Sequence, residues 1–184
     1  MVLFWMIQIY HVYRRKKSST FNWKEYIIAT IYMQAVEGII LQTVRLQEKS
    51  EIVTLFSKEQ GIISLVVKRQ RQALSPLLKV EAEIRPSEKE LKKCFHIQVT
   101  SSFQGLRLSL EKLQYASKII QWISKELPRS EAVEPLYELF DTTLRQLCEE
   151  KDATQVAIRF MKAWKQHDGS FSSHYSDADL IKEL

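Results

Sequence analysis

A cluster of cations is the group of side chains whose types and spacing best suit a chemical task. Lys68, Arg69 and Arg71 are almost consecutive, and Lys79 and Arg85 follow shortly after them. Closely spaced ammonium and guanidinium groups can contact the phosphates of a polyanion and release its condensed counterions. Because an ordinary solvated loop has the same composition, the spacing alone leaves that alternative open.

Metal binding and catalysis have much weaker support. The densest group of potential metal ligands is His167, Asp168, His174, Asp177 and Asp179, in a serine-rich stretch. A metal-dependent hydrolase needs its ligands in a fixed geometry, whereas acidic residues also suit the first turn of a helix. The sequence contains no Gly-x-Ser-x-Gly turn and no Gly-x-x-x-x-Gly-Lys phosphate loop. We therefore expect a protein with no catalytic residue, no metal and no cofactor.

The composition is that of a folded chain in a reducing compartment. Of the 184 residues, 45% are apolar, and glycine and proline number only four each, which excludes collagen-like and low-complexity classes. Cys94 and Cys148 lie far apart, so neither a disulfide framework nor a Cys-x-x-Cys zinc motif is expected. A cytoplasmic location fits this cysteine usage best.

The net charge of +5 is distributed unevenly along the chain. Residues 1–32 contribute +4, residues 36–101 carry 11 basic and 8 acidic groups, and residues 102–184 carry 11 basic and 13 acidic groups. A polyanionic partner is therefore expected to contact the front half of the chain.

An apolar, aromatic opening is followed by the four cations Arg14-Arg15-Lys16-Lys17. The apolar run is too short to span a bilayer, which takes about 20 residues, and it lacks the pattern of a secretory signal. Peripheral anchoring at a membrane interface is one interpretation. We favour another, in which the native protein starts at Met33, a potential initiator, and residues 1–32 are an extension outside it, because the coherent pattern starts just after Met33.

The segment that follows has the pattern of short strands. Apolar and β-branched residues predict strands over Val36–Val44, Glu51–Ser57, Gly61–Val67, Leu78–Ile84 and Cys94–Val99. The stretch Lys58–Gly61 predicts a hairpin loop that ends in a left-handed glycine. Five short strands in sequence predict a small closed barrel, with the OB-fold as the natural candidate.

After Gly105 the apolar residues recur at helical spacing. The predicted stripes are Leu106, Leu110, Leu113, Ala116, Ile120, Ile123 and Leu127; then Leu136, Phe140, Leu144 and Leu147; then Val156, Phe160, Met161 and Trp164. Pro135 and Asp152 are expected to start helices, Gly169 to end one, and Ser176 to start a short last helix. The prediction is an α+β protein, with an OB-fold barrel over residues 34–103 and a helical domain over residues 104–184.

Three ring-bearing residues of the predicted barrel are candidates for stacking on bases: Phe56, Phe95 and His96. In a regular strand Phe95 and His96 point to opposite faces, so at most one would contact a ligand. Core packing is the preferred interpretation for both phenylalanines.

This order of elements resembles the RecO family of recombination mediators. Glu37–Leu41, Glu51–Ser57, Gly61 and the Lys68–Arg71 cluster followed by Ser75 resemble the family's N-terminal OB domain. Phe103, Leu106-Arg107, Leu113, Tyr115–Ser117 and Pro135–Leu147 resemble the start of its helical domain. The resemblance covers about residues 34–166 of the chain.

The resemblance implies a DNA repair and recombination mediator without catalytic turnover, in the cytoplasm at the nucleoid. Such a protein binds single- and double-stranded DNA, anneals complementary strands and helps load the recombinase RecA together with RecR. It also engages the acidic C-terminal tail of the single-stranded-DNA-binding protein. The implied DNA-binding residues are Lys68, Arg69, Arg71, Lys79 and Arg85.

Lys112, Lys118 and Lys125 recur along the first predicted helix and suit a basic rim for that acidic tail, although a solvated helix face has the same pattern. The alternative function is a protein–protein adaptor, membrane-associated through its first residues, that does not bind DNA.

The sequence departs from the family in three places. A Lys-Gly-Ala-Arg-like stretch reads Lys68-Arg69-Gln70-Arg71 here, which adds a cation and removes a glycine. Many members carry a four-cysteine zinc site, and no Cys-x-x-Cys is present. Many members also continue beyond the position of Leu184.

Replacing Lys68, Arg69 and Arg71 together by alanine is expected to weaken binding of single-stranded DNA, because phosphate contacts are lost. The slope of log affinity against log salt should fall by roughly 2. Titrations at several salt concentrations measure that slope, and an unchanged slope would contradict the assignment.

Overall fold

The computed structural model describes residues 33–69, 73–87, 89–129, 133–170 and 175–184. The expectations for residues 1–32, Arg71 and His174 lie outside these ranges. Residues Met33–Leu184 form a unit of their own. In the described ranges, no helix is both long and apolar enough to cross a membrane.

Five strands close into a barrel. They are β1 (Gln34–Gln47), β2 (Ser50–Ser57), β3 (Gly61–Lys68), β4 (Lys79–Ile84) and β5 (Leu91–Ser101). Around the barrel their order is β1-β2-β3-β5-β4, and only the β3–β5 pair is parallel. The predicted OB-fold is confirmed, with β1 and β5 longer at both ends than the apolar pattern indicated.

β1 is long because it pairs with two neighbours in succession. Its first six residues pair with β4, and the residues from Gly38 onward pair with β2. Gly38 belongs to both ladders, opposite Ser57 and Val80. A Cβ at this position would lie 2.9 Å from the carbonyl oxygen of Phe56. The close approach therefore requires glycine where the strand changes partners.

Alternate strand residues fill the barrel interior. The buried side chains that pack together there include Val36 and Ile40 of β1, Val53 and Leu55 of β2, Ile63 and Leu65 of β3, and Val80 and Ala82 of β4. The β2–β3 hairpin closes through Gly61, whose φ of 66° is left-handed, as predicted. The period-2 pattern of the sequence thus determines which face of each strand is internal.

A short 3-10 helix (Gln104–Leu108) leads into four α-helices: α1 (Leu110–Glu126), α2 (Glu134–Glu149), α3 (Ala153–His167) and α4 (Asp177–Glu183). The predicted stripes of α2 and α3 are buried. The Asp152 carboxylate accepts from the Gln155 amide at 3.0 Å, and Ser176 caps α4 in a capping box with Asp179. Gly169, with φ of 75°, follows the end of α3.

The first predicted helical stripe was wrong at its start. The chain breaks at Ser109, whose hydroxyl caps α1 by accepting from the Lys112 amide, so α1 is out of phase with the preceding 3-10 turn. As a result Leu110 is 73% exposed and Leu113 is 36% exposed. Ile119, outside the predicted stripe, is buried instead.

The helices pack on the outside of the barrel. The side chain of Phe56 points outward from β2, and its ring lies 5.5 Å from the Tyr137 ring and 6.2 Å from the Phe140 ring of α2. The outward residues Ile39, Leu41, Ile62 and Leu77 join the same helical core. Part of the outer barrel surface is therefore buried and unable to bind a ligand.

Replacing Phe56 by alanine should lower the free energy of unfolding by about 3–5 kcal/mol, because its ring is fully buried between barrel and helices. The same change at the partly exposed Phe95 should cost less than about 1 kcal/mol. Chemical denaturation of both variants measures the difference, and similar losses at the two positions would contradict this packing.

Candidate nucleic-acid interface

The outer surface of β1, β2, β3 and β5 carries two aligned rows of side chains beyond the reach of the helical core. The strand register places Gln42, Thr54, Ser64 and Leu91 in one row and Val44, Ile52, Val66 and Lys93 in the next. All are exposed or half-buried, while the alternate residues Val53 and Leu65 lie in the barrel core. Neither row contains an acidic residue. We call these eight residues the open face.

Lys68 and Arg69 lie at one end of the open face. Lys68 pairs with Ser50, two residues beyond Val66 on β3, and the Arg69 amide donates to the Lys49 carbonyl at 3.0 Å. The backbone of both residues is thus anchored while both side chains are exposed. Among the described residues neither side chain takes part in an ion pair, so both are available to phosphate groups.

Phe95 does not pack in the core, contrary to the preferred interpretation of the sequence. Glu83 pairs with His96 and Ile84 pairs with Cys94, so Phe95 is an extra residue in a β-bulge. The bulge interrupts the alternation of faces. Phe95 and His96 are therefore both exposed, Phe95 to 41%, instead of pointing to opposite sides.

Two cations flank the Phe95 ring. The Lys93 ammonium lies 5.1 Å and the Arg85 guanidinium 5.7 Å from the ring centroid. The Arg85 amide also donates to the Lys93 carbonyl at 3.1 Å, which ties the two segments together. Lys93 was missed by the sequence analysis. Its signal was the Lys92-Lys93 pair beside Phe95, which becomes informative only when β3 and β5 are known to be neighbours.

Lys79 has to be removed from the predicted DNA-binding set. Its ammonium is buried, 3.0 Å from Glu37 Oε1 and 3.4 Å from Asp141 Oδ2. The Arg145 guanidinium binds the same Asp141 oxygen at 2.8 Å, and the Tyr137 hydroxyl donates to Glu37 Oε1 at 3.0 Å. This charge cluster joins β1 and β4 to α2, so the charge of Lys79 is already neutralised within the fold.

Burial within this cluster changes the pKa of the Tyr137 hydroxyl. Removal from water raises the pKa of its phenol far above the ordinary value, and the nearby Glu37 carboxylate raises it further. The hydroxyl therefore stays protonated and remains a donor to Glu37.

An open cleft of about 750 Å³ borders the cluster, lined by Glu37, Lys79, Arg145 and Glu149 together with residues 100–105 and Cys148. Charges of both signs line it, so it selects no particular charge of ligand.

The three lysines proposed as a partner rim differ in availability. The Lys112 ammonium donates to the Cys148 carbonyl at 3.0 Å and so connects α1 to α2. Lys118 is exposed above the Tyr115 ring. Lys125 is 76% exposed, 3.2 Å from Glu126 and 5.8 Å from the Trp122 ring centroid. Lys118 and Lys125 remain accessible from solvent, whereas Lys112 already has a structural partner.

Catalysis and metal binding gain no support from Cys94, Asp177 or Asp179, whose side chains are buried or bonded within the fold. Burial raises the pKa of the Cys94 thiol to about 11, so it is a poor nucleophile near neutral pH. Asp177 pairs with Lys162 at 2.7 Å, and Asp179 belongs to the cap of α4. Over the ranges described, no three His, Cys, Asp or Glu side chains converge in a way that could hold a metal ion.

Comparison with known proteins agrees with this architecture. The family model for the N-terminal part of recombination protein O matches residues 33–103, and the model for its C-terminal part matches residues 107–163. The chain belongs to the RecO family. The first match covers the barrel, and the second covers α1, α2 and most of α3.

Several curated relatives, each named DNA repair protein RecO, support the same family. The protein of Syntrophobacter fumaroxidans is 30% identical over 134 residues, which is 68% of this chain and 52% of the relative. The protein of Caldicellulosiruptor saccharolyticus is 28% identical over 130 residues, 67% of this chain and 53% of the relative. The chain thus spans about half the length of these family members.

The different environments of Lys79 and Lys68 predict opposite effects of the same substitution. Lys79→Met should cost about 3 kcal/mol of stability, because it removes one of the two cations that pair with the buried Asp141 carboxylate, and should leave the salt dependence of DNA binding unchanged. Lys68→Met should leave stability unchanged and lower the log–log salt slope by about 1. Denaturation and binding titrations of both variants test this. A lowered salt slope for Lys79→Met would show that Lys79 does contact DNA.

Proposed function

We propose that the open face, together with Lys68, Arg69 and Arg85, binds DNA, and that the protein acts in DNA repair and recombination. The observation that carries this proposal is the juxtaposition of a surface without acidic residues and three exposed cations on one side of an OB-fold barrel. Barrels of this kind bind single strands by tracking the phosphates with cations and packing the bases on the sheet.

Single-stranded DNA suits this surface better than a duplex. The row of Val44, Ile52 and Val66 offers apolar contact to unpaired bases, while the cations lie at the end and side of the face. Contacts of this type carry little sequence information, since phosphates and aliphatic surfaces are common to all sequences. We therefore propose binding with little sequence preference and a steep dependence on salt.

The further activities we propose are those that the family resemblance implies. Two complementary strands held on one basic surface repel each other less, which would promote their annealing. The curated relatives are named as DNA repair proteins. On this basis we propose that the protein acts with RecR in loading RecA, in the cytoplasm at the nucleoid, and that it has no catalytic turnover of its own.

We propose α1 as the contact for the acidic C-terminal tail of the single-stranded-DNA-binding protein. Lys118 and Lys125 are exposed cations on this helix, and Leu110 and Leu113 are exposed apolar side chains at its start. A short acidic peptide with an apolar end needs both kinds of group. Lys112 supports this surface less directly, because its ammonium is already bonded to α2.

Fluorescence anisotropy with a labelled single strand, titrated at two salt concentrations, tests the proposed function. We expect binding that weakens with salt, and a double variant Lys68→Ala/Arg69→Ala that binds several-fold more weakly with a lower salt slope. The matched control is Lys151→Ala/Lys182→Ala, which removes two exposed cations from the helical part and so has the same net charge as the Lys68→Ala/Arg69→Ala variant. If the unaltered protein does not bind DNA, the adaptor function takes the place of this proposal.

A further inference from the structure

We propose that Phe95 stacks on an unpaired base and thereby gives the open face its preference for single strands over duplexes. This inference rests on the proposed function and names the residue that determines its specificity. It follows from the position of one aromatic ring in a bulge, between two cations, beside the end of the open face.

The bulge presents the ring to solvent. Phe56 and Phe95 are the only Phe, Tyr or Trp residues in the sequence of the five barrel strands and their connections, residues 34–101. Phe56 is fully buried under α2, so Phe95 is the one aromatic ring of these two that a ligand can reach. A regular strand would have no extra residue there, and β-bulges often redirect a side chain at a binding site.

The surrounding charges define where a bound strand lies. The β3–β5 register places Val66 beside Lys93, and Lys68 on β3 and Phe95 on β5 each lie two residues farther along these parallel strands. On the opposite side, β4 presents Glu83 next to His96. Phosphates are attracted toward Lys68 and repelled from Glu83, so the backbone of a bound strand follows the β3 side of Phe95.

The two flanking cations complete the subsite. Lys93 and Arg85 lie within 6 Å of the Phe95 ring centroid, so both cations are beside any base that stacks on the ring. Both have flexible side chains that can turn from the ring to a phosphate when a base stacks. A duplex offers no such contact, because its base faces are already stacked on one another and the ring can reach only its backbone.

A comparison of three ligands isolates the stacking contact: a single strand, an abasic strand of equal length and a duplex of the same sequence. Phe95→Leu should weaken binding of the normal single strand by about tenfold, within the range for one base stacked on an aromatic ring. Binding of the abasic strand and of the duplex should not change. Phe95→Trp should bind the normal strand at least as tightly as the unaltered protein does, because tryptophan offers a larger aromatic surface.

Two controls separate this inference from the proposed function. Leu108→Ala removes an apolar side chain that is 88% exposed in the 3-10 helix and should leave all three affinities unchanged. Lys68→Ala/Arg69→Ala should weaken binding of all three ligands. If Phe95→Leu has no effect, or weakens the abasic and normal strands equally, the stacking role is overturned while the proposed function stands. If the unaltered protein binds none of the ligands, both are overturned.

Discussion

The packing of Phe56 against Tyr137 and Phe140 divides the outer surface of the barrel into two parts, and the remaining features depend on that division. A closed barrel has no free edge, so helices and ligands that contact its wall both use the outward side chains of its strands. Around the β2–β3 turn these side chains are large, apolar and buried beneath α2. Farther along the same strands they are smaller, β-branched or polar, and remain accessible.

The cations are divided in the same way. Lys79 lies among Glu37, Asp141 and Tyr137, and Lys58, which extends from the β2–β3 loop, binds Glu138 of α2 at 2.6 Å. That contact raises the pKa of Lys58 and lowers the pKa of Glu138, so both stay charged at neutral pH. These lysines join the barrel to the helices. Lys68 and Arg69, at the other end of β3, have no such carboxylate partners within the described structure. The low net charge of the chain beyond residue 32 is therefore compatible with a locally basic surface.

The bulge at Phe95 illustrates how a small change of register can create a functional position. One additional residue in β5 exposes two consecutive side chains and places an aromatic ring between Arg85 and Lys93. An exposed phenylalanine has no stabilising role in the barrel core. Its exposure beside cations is understandable if it contacts a partner that is both aromatic and anionic, which is the chemistry of a nucleic-acid strand.

The sequence by itself determined the five strands, the helices, the left-handed Gly61 and the helix starts at Asp152 and Ser176, because these follow from local periodicity and local hydrogen bonding. It also predicted the cationic stretch that begins at Lys68. Only the tertiary structure decided that Lys79 is neutralised and that Phe95 lies outside the core. Each of these depends on neighbours distant in the chain or on one extra residue in a strand, and charge pairing, packing and bulges of that kind leave no periodic trace in the sequence.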